Sequence, residues 1–144
     1  MTGNLILSNR LAYINKEPKT GDVVVFWSDE YGQLLVKRVI GVAGDVIDLK
    51  DGDVYINKTK VYENYIQGKT WSSSSQDERF VVPEGELFLM GDNRENSGDS
   101  RIFKDTFISI DSVEGKVFLH YSVGGDDGVY AEIIESESPI FLEE

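Results

Sequence analysis

Cysteine does not occur in the 144 residues, and histidine occurs once. The first absence excludes disulfides and thiolate ligands; with one histidine, too few soft donors remain for a zinc site, and no metal or other cofactor is expected. No apolar run approaches the roughly 18 residues that a membrane-crossing helix needs, so neither such a helix nor a signal peptide is expected within this stretch. Bases are scarce. Fourteen Lys and Arg stand against 26 Asp and Glu, a formal net charge of −12. Charge of that sign repels nucleic acid and anionic membrane surfaces at long range, so neither is an expected binding surface. No helical stripe of useful length and no internal repeat appears. Any catalysis therefore falls to Ser, Lys, Asp, Glu or Tyr.

What is present is an ordinary globular composition, 40% hydrophobic and 28% charged, in a length that suits one domain with a real core. Short β-branched and aromatic runs alternate with Gly, Asp, Asn and Pro, which predicts a mainly β fold with little helix. Strands are expected at Leu5–Leu7, Asp22–Trp27, Leu34–Val42, Val46–Leu49, Val54–Ile56, Glu86–Met90, Lys116–Tyr121 and Tyr130–Ile134. The Asp-Gly pair in "KDGDVYI" predicts a hairpin. "PKTGD" (Pro18–Asp22) and "VPEGE" (Val82–Glu86) read as turns into strands. Gln67–Glu78, Ser-rich and polar, reads as a loop, so that residues 50–82 form a hairpin-and-loop insert. Residues 122–144 read as an acidic, loosely held extension. The N-K-T triplet at Asn57 matches a glycosylation sequon, but the reading preferred for it is a hairpin turn.

Two stretches can carry chemistry. "LLVKRVIGV" sets two cations inside an apolar strand. Alternation puts Lys37 on one face with Leu35 and Val39, and Arg38 on the other with Val36 and Ile40. The plain reading is an edge strand whose cations reach water. The sharper one is a lysine kept neutral by an apolar surround, able to deprotonate a serine hydroxyl. The second stretch is "GDNRENSGDSR", Gly91–Arg101, a dense polar run directly after the apolar "LFLM". An extended backbone would put Ser97, Asp99 and Arg101 on one face. Asp99 and Arg101 could then pair, Arg38 could join them, and Ser97 could direct a neutral amine. A polar turn, with Asn93 and Asn96 bonding the backbone, accounts for the same residues.

Together, "VKRVIGVAGD" (Val36–Asp45) and "GDNRENSGDSR" resemble the signature boxes of the bacterial type I signal peptidases, K-R-x-x-G-x-P-G-D and G-D-N-x-x-x-S-x-D-S-R. The second agrees at Gly91, Asp92, Asn93, Ser97, Asp99, Ser100 and Arg101; the first differs where Ala43 replaces Pro. "NRLAY" and "PKTGDVVVF" (Asn9–Phe26) and "DGDVYINKTKV" extend the resemblance, which covers roughly Gly3 to Phe118. It implies a fold of coiled antiparallel sheets with a small β-rich insert. It also implies a Ser–Lys dyad in which Lys37 is the general base, Ser97 orients its amine, and Asp99 with Arg101 braces the loop. By the same resemblance Arg38 pairs towards Asp99, Asn93 supports the loop, and Ile6, Val24, Leu35 and Val36 line shallow pockets for small substrate side chains. The implied partner is the extended signal-peptide region of secretory preproteins. The implied location is the extracytoplasmic side of the cell membrane, reached through an anchor that this chain lacks.

One departure matters. The family's nucleophile lies in S-M-x-P-T-L, shortly before a Gly that aligns with Gly3, and here the chain reads "MTGN". The serine box is expected to fall before Met1, together with the membrane anchor, and Ser8 has none of its flanking pattern. This chain alone is therefore expected to be inactive, as the ectodomain of a membrane-anchored peptidase. The alternative is a non-catalytic relative that binds extended peptides, for example in assembly of pili or other secreted surface proteins. Retention of Lys37 argues against it. A self-cleaving repressor peptidase, which shares the dyad and core sheet, lacks the full second box.

Overall fold

The computed structural model describes residues 3–63, 66, 69–70, 77–92, 94, 98–124, 128–133 and 140–141. Twelve strands and one short 3-10 turn, Ile110–Ser112, make up its regular structure. The strands are β1 (Gly3–Asn9), β2 (Val23–Ser28), β3 (Gln33–Gly41), β4 (Val46–Lys50), β5 (Asp53–Ile56), β6 (Thr59–Tyr62), β7 (Glu78–Val81), β8 (Glu86–Met90), β9 (Ile108–Ser109), β10 (Val113–Gly124), β11 (Gly128–Ile133) and β12 (Ile140–Phe141). The mainly β expectation is met. β7, β9 and β12 had no counterpart in the sequence: each has four residues or fewer, too short to show period-2 alternation.

All pairings are antiparallel. A seven-stranded sheet runs β1-β10-β2-β3-β8-β9, with β11 also on β10, and a five-stranded sheet runs β12-β6-β5-β4-β7. β3 and β8 separate two cores. Alternation sends Ile40, Phe88 and Met90 to one face, where they meet Ile47, Leu49, Val54, Ile56, Val61 and Val82 of the second sheet. Their neighbours Val39, Leu87 and Leu89 turn the other way and pack with Val24, Phe26 and Phe103. The strand that carries Lys37 and Arg38 is thus anchored at its C-terminal half by apolar contacts on both sides.

Turn chemistry sets the register of the small sheet. Leu49↔Val54 and Lys50↔Asp53 face each other across Asp51–Gly52, both with positive φ (54° and 80°), as the primed two-residue hairpin requires. Asn57 and Lys58 make a second such turn, with φ of 52° and 72°. The Asn57 side chain accepts from the Val46 amide and donates to Asp45, so it braces the turn of which the sequon is part. The Ser-rich Gln67–Glu78 loop falls largely outside the described residues. Of the C-terminal extension, Ile140 and Phe141 pair with Tyr62 and Val61 along the edge of β6.

Candidate active site

Lys37 lies near the middle of β3, opposite Val24 of β2. Val24 has no exposed surface, and the Lys37 side chain is itself half-buried on that apolar face. Burial disfavours the ammonium and holds the amine below the ordinary lysine value of 10.5. Two further charges act on it. The Asp99 carboxylate pushes the value up, and the Arg101 guanidinium pushes it down.

The Asp99–Arg101 pair is built locally. Asp99 has no solvent exposure, and its carboxylate is filled with donors: Oδ1 accepts from the Arg101 amide at 3.1 Å and from Nε at 2.9 Å, while Oδ2 accepts from Nη2 at 2.7 Å and from the Gly91 amide at 3.1 Å. The backbone here turns rather than extends, because the Ile102 and Phe103 amides both donate to the Asp99 carbonyl. The extended-strand expectation therefore gives way to a tight turn, across which the long Arg101 side chain folds back onto Asp99. Ser100, fully buried, completes the turn: its amide donates to the Leu89 carbonyl and its hydroxyl accepts from the Leu89 amide. Ser97 and Asn93 lie outside the described residues.

Arg38 does not join Asp99. It points to the opposite face from Lys37 and grips Asp92, Nε to Oδ1 and Nη2 to Oδ2 at 2.8 Å each, while Nη1 donates to the Gly21 carbonyl. The physical reason is alternation: neighbours on one strand cannot share a face. Arg94 of the same loop is wholly buried and held by Glu63, Thr70 and the Gly91 carbonyl. Neither Arg94 nor Glu63 stood out in the sequence, although a charged residue inside "VYENYI" was a signal to follow.

A shallow cleft of about 230 Å³ is bordered by Ile6, Val23, Val36, Lys37, Arg38, Gly91, Asp92 and Val117. It brings Ile6 and Val36 together beside Lys37. Val24 sits instead in the core with no exposed surface, and Leu35 packs against the same core. A larger hollow of about 490 Å³ lies between the β2–β3 turn and residues 103–112, and borders none of Lys37, Arg38, Asp92, Asp99 or Arg101. Among the described residues no cluster of acids and histidine could hold a metal ion, and no helix is long and apolar enough to cross a membrane.

The family model "Signal peptidase, peptidase S26" matches residues 1–122. The chain belongs to that family. Signal peptidase I of Bacillus licheniformis is 40% identical over 92 residues, which are 59% of this chain and 50% of that protein. Signal peptidase I of Bacillus caldolyticus is 35% identical over 131 residues, 83% of this chain and 70% of that protein. The crystal structure of a signal peptidase I from Enterococcus faecalis V583 is 32% identical, with a TM-score of 0.58, and the match covers 70% of this chain and 97% of that one. The chain thus spans half the length of the Bacillus licheniformis relative. The antiparallel sheets and near-absence of helix among the described residues match that signal peptidase I structure.

Proposed function

We propose that these residues form the base-carrying part of a signal peptidase I, which removes signal peptides from secreted proteins by Ser–Lys dyad hydrolysis on the outer side of the cell membrane. The observation that carries this is Lys37: a half-buried amine, held below the ordinary lysine value, beside a braced Asp99–Arg101 pair. A neutral amine can take the proton of a serine hydroxyl as it attacks the scissile carbonyl, then return it to the leaving amine. The 144 residues contain no S-M-x-P-T-L box, so the chain by itself should not cleave. The roles of Ser97 in directing the amine and of Asn93 in its loop rest on the resemblance of the second box alone, since both lie outside the described residues.

The substrate enters as an extended strand beside β3. The ladder of β8 begins only at Arg38, so among the described residues Leu34–Val36 is flanked by a strand on the β2 side alone. Backbone pairing there would send alternate substrate side chains to one face, where Ile6 and Val36 border a shallow cleft suited to small residues. In the serine-bearing protein, both Lys37→Ala and Lys37→Arg should abolish cleavage of a signal peptide ending in Ala-x-Ala, because a guanidinium stays protonated. Cleavage products are followed by mass spectrometry. Near-normal cleavage by either variant ends the dyad assignment and favours a peptide-binding relative without catalysis.

A further inference from the structure

Arg94 is the bulkiest of the fully buried side chains among the described residues, and neither the proton transfer nor the two cores use it. A guanidinium without solvent needs acceptors on every side. Glu63 supplies two: Oε1 accepts from Nη1 at 2.8 Å and Oε2 from Nη2 at 2.6 Å. The Thr70 hydroxyl accepts from Nη1 at 2.8 Å, and the Gly91 carbonyl accepts from Nε at 2.9 Å. These acceptors come from two places. Glu63 directly follows β6, and the Thr70 amide donates to the Gly52 carbonyl in the β4–β5 turn, so both are attached to the second sheet. Gly91 directly follows β8 in the first. Its amide donates to Asp99 Oδ2, and its neighbour Asp92 grips Arg38.

We propose that Glu63, Thr70 and Arg94 are positioning residues: they clamp Gly91 to the second sheet and, through the Gly91 amide, fix the Asp99–Arg101 pair against Lys37. This rests on the assignment of Lys37 as the base. A planar guanidinium fork held at both ends sets distance and direction together, whereas an apolar contact tolerates sliding. A buried ion pair gives little net stability over a well-packed apolar pair, so what distinguishes it here is the registry it imposes on the loop.

The test uses the 144-residue chain and needs no cleavage. Carbon-13 NMR titration of the lysine side chains, assigned with Lys37→Met, reads the base, and hydrogen exchange at the Gly91 amide reads its hold on Asp99. In Glu63→Gln the Lys37 midpoint should rise by about 0.5 in pH or more as water reaches the amine, and Gly91 should exchange about tenfold faster. Glu63→Asp should recover part of both changes. Asp48→Asn, which breaks the exposed pair with Arg79 on the same sheet, should change neither. A folded Glu63→Gln chain with an unchanged Lys37 midpoint overturns the proposal. Should Glu63→Gln fail to fold, Thr70→Val decides, since it removes one acceptor and keeps the ion pair: a smaller rise supports the clamp and no rise overturns it. The base assignment stands or falls separately, on cleavage by the Lys37 variants.

Discussion

Lys37 meets burial first, then Asp99 and Arg101, and the net direction is downward from 10.5. In the unfolded chain the same lysine is solvated and binds its proton more readily. Between the lowered native value and 10.5 the unfolded state therefore holds more protons, and stability rises with pH across that window. Below it the folded state carries the full cost of a charged, half-buried amine. Lys37→Met should accordingly raise the melting temperature at neutral pH, and the gain should fade as pH approaches 10.5. Melting curves of both chains across pH 7 to about 11 check this; an equal gain at every pH would mean that packing, not charge, is responsible. Asp99 and Arg101 behave oppositely. Both are buried, and Arg101→Ala would leave the Asp99 carboxylate with neither its ion-pair partner nor water. The loss should be about 3–5 kcal/mol by urea denaturation, against about 1 kcal/mol or less for a solvated pair.

At the scale of elements, the hairpins were legible because turn residues carry their own geometry. Asp51–Gly52 was readable as a primed turn from two letters. Asn57–Lys58 was not marked with the same force, because lysine has no preference for positive φ, yet Lys58 adopts 72°. Replacing it by glycine removes the clash of its Cβ at some entropic cost, and Lys58→Gly should stabilise the chain by about 0.5–1 kcal/mol. Chemical denaturation reads that difference, and a destabilised variant would show that the Lys58 side chain contributes more than its strain costs. The strand carrying Lys37 was legible from its apolar run, as was the alternation of Lys37 and Arg38. The turn at Asp99–Phe103 was not, because backbone amides that donate to one carbonyl leave no mark in residue spacing.

Over the whole molecule, 26 acids against 14 bases leave a compact body that repels itself. Screening should relieve this. Raising salt from about 10 mM to about 300 mM shortens the Debye length from roughly 30 Å to under 10 Å and should lift the melting temperature by a few degrees. A fall instead would mean that the ion pairs outweigh net repulsion; the solvated ones, such as Arg79–Asp48 and Arg10–Glu114, are those that salt weakens most. The two cores share one divider, β3 with β8, so the second sheet and the candidate site cannot be treated as separate bodies.

The sequence by itself determined the class of fold, the face on which Lys37 lies, and the family, because strand periodicity, turn letters and two ordered boxes are local properties of the chain. Which acid meets which base was decided only by tertiary structure. Asp92 and Asp99 stand seven positions apart in one loop, and nothing in their spacing says that Arg38 takes the first while Arg101 folds back on the second. The Glu63–Arg94 pair, 31 positions apart, exists only once the second sheet packs on the first and removes water from both side chains, since a buried charge must find its partner wherever the fold places one.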